Sequence, residues 1–213
     1  RVEVVLDVSC PDLDDAGRAA AAEIRRHQDW LRSGGRAPGE VLAQLTRLRL
    51  RLGLAKVEPA AEWLAGFEGP VVVFTHHREV ARALADRIGA ACITGDESVS
   101  TRQDVVDRFQ RGEVTRLVAT YGAAGVGLTL TAASDVVLLE REWVPAVEEQ
   151  AVDRCHRIGQ DRPVTVWVVM TSHPVDRALQ AAVERKTEVL DAILGFARAV
   201  SSIDNGRGGG HDV

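Results

Sequence analysis

The sequence predicts an α/β fold, an open parallel sheet flanked by helices, with an N-terminal helical appendage. Three observations predict it. From residue 70 onward, short β-branched and almost continuously apolar runs alternate with helical segments, the pattern of strands buried on both faces. Three of those helical segments close on a glycine, the residue that most readily takes the left-handed backbone at a helix end. The chain has 213 residues, 46% of them hydrophobic and 27% charged, enough to bury one substantial core.

The elements follow in order. Residues 1–64 open with a possible strand, VEVVLDV. Helical stretches follow at DDAGRAAAAEIRRHQDWLR, EVLAQLTRLRLRLGL and VEPAAEWLAGF, with a break at SGGRAPG. This segment reads as an appendage or linker. Residues 65–197 form the α/β domain. Its strands are VVVFT (71–75), ACIT (91–94), RLVAT (116–120), DVVLLE (135–140) and VTVWVVM (164–170). Its helices are REVARALADRIG (78–89), TRQDVVDRFQRG (101–112) and PAVEEQAVDRCHRIG (145–159). Residues 198–213, with NGRGGG, read as a flexible glycine-rich tail.

Composition excludes several classes. Net charge is −5 and there is no long basic block, so contact with nucleic acid needs a local patch. Cys10, Cys92 and Cys155 are widely spaced and form no CxxC pair, and no HxxxH occurs, so neither a disulfide framework nor a metal site is indicated. No run of 18 apolar residues and no signal peptide is present, so no membrane partner is expected and a reducing cytoplasmic setting is the default. The chain opens on Arg1 and not on methionine, which reads as a fragment of a longer protein.

Two constellations carry chemistry. In QAVDRCHRIGQ (150–160), Gln150, Arg154 and Arg157 fall on one face of the predicted helix. Two guanidiniums presented together suit phosphate oxygens. Spacing alone favours a solvated face on which Glu149 and Asp153 neutralise the arginines, and the strand-end context shifts the reading toward a phosphate. One strand earlier, TYGAAGVGLTL (120–130) leaves a strand end as a thin loop, with Gly122, Gly125 and Gly127 letting a phosphate or ribose approach backbone amides. His76 and His77 close the first core strand, as a ligand-facing pair or a strand-end polar pair. Cys155 and His156 lie on other faces of that helix and read as packing residues; as sequence neighbours pointing about 100° apart, they do not suit a nucleophile pair.

The ordered set VVVFTHH, ITGDESVSTRQDVVDRFQRG, TYGAAGVGLTLTAASDVVLLEREWVP and QAVDRCHRIGQ resembles the second RecA-like lobe of superfamily-two helicases. More narrowly it resembles the Swi/Snf family of double-stranded DNA translocases, with TAASDVV and FTHH closest to the HARP-like annealing branch. The resemblance covers about residues 40–195. It implies that Arg154 and Arg157 are arginine fingers and that Gln150, Gly125 and Gly127 face the nucleotide. It also implies that Thr120, Gly95 and Trp143 contact duplex DNA, although Trp143 beside Val144 and Pro145 equally suits a helix-start staple. Arg102 matches a recurrent arginine, or pairs with Asp104 or Asp107. Where many remodellers carry a basic residue this chain has Gly122, and where they carry asparagine it has Thr129, which points to the HARP-like or bacterial branches.

The family uses ATP and Mg2+, with the magnesium ligands and phosphate loop on a first lobe. No GxxxxGK[ST] or DExH occurs here, so the resemblance implies half of an ATPase site and an N-terminal RecA-like lobe as partner. By itself this lobe is expected to be inactive. Two further readings stay open: a lobe of a strand-separating DNA or RNA helicase, and a non-enzymatic orphan lobe acting as a binding module.

Overall fold

A computed structural model describes residues 1–8, 12–26, 39–125, 127–142, 144–173, 176, 177 and 180. The glycine-rich tail and Cys10 lie outside them. The elements are β1 (Val2–Leu6), α1 (Asp12–Arg26), α2 (Gly39–Ala55), α3 (Val57–Leu64), β2 (Val71–Thr75), α4 (Arg78–Ile88), β3 (Ala91–Ile93), α5 (Val99–Gln110), β4 (Arg116–Thr120), α6 (Tyr121–Ala124), β5 (Asp135–Leu138), α7 (Pro145–Val152) and β6 (Thr165–Thr171). Two compact units result, Arg1–Leu6 with Gly53–Met170, and Asp7–Leu52 with Thr171–Val213.

The first unit holds a six-stranded sheet in the order β1-β6-β5-β2-β4-β3. The pairs β2–β4, β2–β5, β3–β4 and β5–β6 are all parallel. β2 lies inside the sheet, and all five of its residues are buried, as its continuous apolar run requires. Register sets Thr75 beside Thr120 and Phe74 beside Leu138, so the loops leaving β2, β4 and β5 emerge at one sheet edge. The sequence grouped residues 1–64 as one appendage; the structure divides them otherwise. β1 takes an edge position in the sheet, and Gly53 through α3 belong with the α/β unit.

Each flanking helix follows from its pattern. α4 buries Val80, Ala81, Leu84 and Ala85 along one stripe and ends at Gly89, whose φ of 63° favours glycine. α5 begins at Ser98, whose side chain accepts the Thr101 amide, and buries Val106 and Phe109. α3 is held by aromatic contacts: Trp63, Phe67 and Trp167 pack edge to face, with ring centres 4.8–5.8 Å apart. Between α2 and α3, Lys56 is buried and donates to the carbonyls of Leu139 (3.3 Å) and Val169 (2.9 Å). In the second unit, α1 buries Leu13, Ala20 and Ala21, and Thr171 donates its amide to Asp176 at 2.7 Å.

Candidate functional site

The loops at the carboxyl edge of the sheet enclose a cleft of about 570 Å³ lined by residues that include His76, Arg78, Thr94, Gly95, Arg102 and Thr120. Ligands of open parallel sheets bind at this edge. Thr120 and Gly95, far apart in sequence, meet here. The Thr120 hydroxyl is buried and donates to the Thr94 carbonyl at 3.3 Å, tying the ends of β3 and β4 together. Gly95 is exposed with φ 91°. Its amide donates to Glu97 Oε2 at 2.8 Å, while the Thr94 amide (3.0 and 3.1 Å) and hydroxyl (2.9 Å) donate to the same carboxylate. Burial alone raises the Glu97 pKa, but the Thr94 and Gly95 donors outweigh it and hold the carboxyl below its usual range.

Two arginines beside the cleft share one carboxylate. Arg78 and Arg82 both reach Asp96, at 2.6 and 2.5 Å. Arg102 does not follow the salt-bridge reading: Asp104 lies 3.9 Å from Arg108, and Asp107 accepts from Gln103. Arg102 lines the cleft instead, with its Nε buried and without a hydrogen-bond partner.

The arginine segment departs from the predicted helix. α7 stops at Val152, not at Gly159, so Gln150, Arg154 and Arg157 do not share one helical face. Beyond Val152 the backbone is held by local bonds together with a tertiary one. The Arg154 carbonyl accepts from the Leu130 amide at 2.8 Å, and the amides of Arg154 and Cys155 bond three residues back. Gln160 then anchors the turn, its Nε2 donating to the carbonyls of Ala133 (2.6 Å), Thr131 (3.0 Å) and Cys155 (3.3 Å). Gly159, at φ 99°, permits the reversal. Arg157 and Gln150 are exposed.

Arg154 meets the glycine segment. Its guanidinium donates to the Gly125 carbonyl at 3.0 Å, and its Nε is buried without a hydrogen-bond partner. That segment begins with a single helical turn, α6, and not with an extended loop. Tyr121 anchors the turn, donating to the Glu140 carbonyl at 2.6 Å, and burial pushes its phenol well above the usual range. Gly127 takes φ 63°. Trp143 lies outside the described residues.

Several residues beside the site escaped sequence reasoning. Glu140, nearly buried, accepts from the amides of His76 (3.0 Å) and His77 (2.9 Å), and its Oε1 lies 2.7 Å from His77 Nδ1. His76 Nδ1 is 2.8 Å from Glu142. Fully buried Glu148 takes two bonds from Arg141, at 2.6 and 3.0 Å, and one from the Glu142 amide at 2.9 Å. The available signal was chemical: FTHH and LEREW each put titratable residues directly after a buried strand. Cys155 packs as expected, and burial lifts its thiol pKa to about 12. Among the described residues, no group of three or more His, Cys, Asp or Glu side chains is placed to hold a metal ion.

The model of the helicase conserved C-terminal domain matches residues 55–159, from the end of α2 to the arginine turn. This segment belongs to the helicase C-terminal domain family. An uncharacterised ATP-dependent helicase of Schizosaccharomyces pombe is 40% identical over 103 residues, 48% of this chain and 10% of that protein. The human DNA annealing helicase and endonuclease ZRANB3 is 30% identical over 195 residues, 84% of this chain and 18% of that protein. The aligned part of this chain thus spans a tenth to a fifth of these relatives' length. Relatives come from mixed sources, a putative ATP-dependent helicase/translocase of Bacillus subtilis being 39% identical over 102 residues, and so give no support to a bacterial source in particular.

Solved structures share the fold of the helicase lobe. The C-terminal part of the Fun30 ATPase domain superposes with a TM-score of 0.66 at 13% identity, covering 94% of this chain and 97% of that one. The Sulfolobus solfataricus SWI2/SNF2 ATPase core in complex with double-stranded DNA superposes at 0.61 and 18% identity, covering 93% and 46%.

Proposed function

We propose that this chain is the second lobe of an ATP-dependent translocase that moves along double-stranded DNA. One observation carries the reading. The six residues from Thr120 to Gly125 have one end in the cleft beside Gly95 and the other against Arg154. In this reading the duplex-facing and nucleotide-facing groups sit at opposite ends of a single helical turn. Thr120, Gly95, Arg102 and, from the resemblance, Trp143 are the DNA-facing residues. Gln150, Gly125, Gly127, Arg154 and Arg157 are the nucleotide-facing ones.

The residues fit a polyphosphate. The Arg154 Nε is a buried donor with no hydrogen-bond partner, Arg157 is exposed, and the glycines keep the turn thin. ATP with Mg2+, bound mainly by an N-terminal RecA-like lobe, supplies the scissile phosphoanhydride. This chain contributes positive charge: Arg154 leaves the Gly125 carbonyl and, with Arg157, stabilises the charge spread over the transferring phosphoryl group. With no GxxxxGK[ST] in the sequence, the chain by itself hydrolyses no ATP. Relatives named as helicases and an annealing helicase, and a fold neighbour solved with duplex DNA, support this reading.

Arg154→Ala and Arg157→Ala in the intact enzyme test it. Each is expected to lower DNA-stimulated ATP turnover by about 10³–10⁵-fold, as arginine fingers do elsewhere, while duplex affinity holds. Near-normal turnover in both variants refutes the finger assignment.

A further inference from the structure

Glu97 holds the groups that a DNA phosphate would use. Its carboxylate takes three donors, the amides of Thr94 and Gly95 and the Thr94 hydroxyl, at 2.8–3.1 Å. The positive φ of Gly95 turns its amide the same way as that of Thr94, forming a small concave anion cradle. Two carboxylate oxygens occupy it as two oxygens of a phosphate would. Next in sequence, Asp96 takes up Arg78 and Arg82. Residues 96–97 thus satisfy, from inside the chain, donors on the wall of the cleft, while Arg102 Nε nearby remains unpaired.

We propose that Glu97 is an internal competitor for the DNA backbone, a latch that must leave the Thr94–Gly95 amides before a phosphate is gripped there. The inference rests on the cleft facing DNA, as proposed above. Glu97 lies in the loop between β3 and α5 and is partly exposed, so it can vacate the cradle by side-chain rotation without unfolding either element. The exchange is one acceptor for another, carboxylate for phosphate, so the balance is fine and responds to local phosphate concentration. Glu97 therefore keeps the grip releasable, which a motor that steps needs.

Duplex-DNA affinity of the intact protein, with Glu97→Gln, Glu97→Ala, Glu79→Gln and Arg102→Ala variants, tests this. Glu79 is an exposed α4 carboxylate that controls for simple loss of charge. The latch predicts three- to tenfold tighter binding, on the order of one competing contact removed, for both Glu97 variants and not for Glu79→Gln. It also predicts that the Gly95 and Thr94 amide resonances of the unmutated protein shift on adding duplex. Glu97 variants that bind as the unmutated protein does, or more weakly, overturn the latch and make Glu97 a loop brace. Equal tightening by Glu79→Gln overturns it as well, in favour of the general field. If Arg102→Ala leaves affinity unchanged, the DNA-facing reading itself falls, and the latch with it. Should Glu97→Ala fail to fold, Glu97→Gln, which keeps an acceptor of the same shape, decides.

Discussion

Gln160 offers the sharpest test of how the arginine turn is held. Its Nε2 sits among three carbonyl oxygens, at 2.6, 3.0 and 3.3 Å, and its Oε1 accepts the Arg162 amide at 3.1 Å. Gln160→Ala removes two good donated bonds and one long one in a half-buried place, and leaves the exposed Arg162 amide to water. At about 0.5–1.5 kcal/mol net per bond, the loss is about 1–3 kcal/mol. For a chain of this size that lowers Tm by roughly 2–12 °C, taking about 2–4 °C per kcal/mol. Gln160→Glu keeps the shape but replaces the donor by an acceptor facing three carbonyls. Its cost must exceed that of alanine, because it adds repulsion to the lost bonds. Thermal unfolding of the two variants beside the unmutated chain gives the order directly. A glutamate variant that melts at or above the alanine variant would falsify the donor arrangement at the Gly159–Gln160 corner.

Two other expectations follow from the geometry. Gly53→Ala in α2 should destabilise, although alanine is ordinarily the better helix former by about 1 kcal/mol. A Cβ there would stand 2.7 Å from both Glu140 Oε1 and Val80 Cγ2, so overpacking of about 1–3 kcal/mol reverses the sign; urea unfolding that shows stabilisation would contradict the packing. Glu97, whose folded pKa is depressed, contributes stability above its unfolded pKa and loses it as pH falls through the folded value. Acid titration of Glu97→Gln should therefore show a shallower loss of stability below the ordinary carboxylate range, and identical curves would rule out the contribution.

The α/β pattern was legible because burial of parallel strands writes itself into continuous apolar runs. VVVFT and RLVAT became strands at the predicted residues, and Gly89 stopped its helix. The arginine helix was misread for a definable reason. Between Pro145 and Gly159 no glycine or proline interrupts the sequence, so local propensity continues a helix. What ends it at Val152 is partly distant in sequence, the Leu130 amide claiming the Arg154 carbonyl, and partly local, Gln160 claiming the carbonyl of Cys155 five residues back. Glu148 and Glu97 were hidden although their partners are near in sequence. A carboxylate reads as solvent-facing until the fold brings Arg141 or a pair of turned amides to it.

Lys56 has a practical consequence. Lysine occurs at two positions only, and this one is sealed off, with its ammonium donating to carbonyls beside β5 and in β6. An amine-directed label can reach it only when that corner opens, so under fast reclosing the labelling rate at Lys56 reads out the population of the opened form. A mass spectrometer following one peptide then becomes a thermometer for the sheet, with almost no background from other lysines.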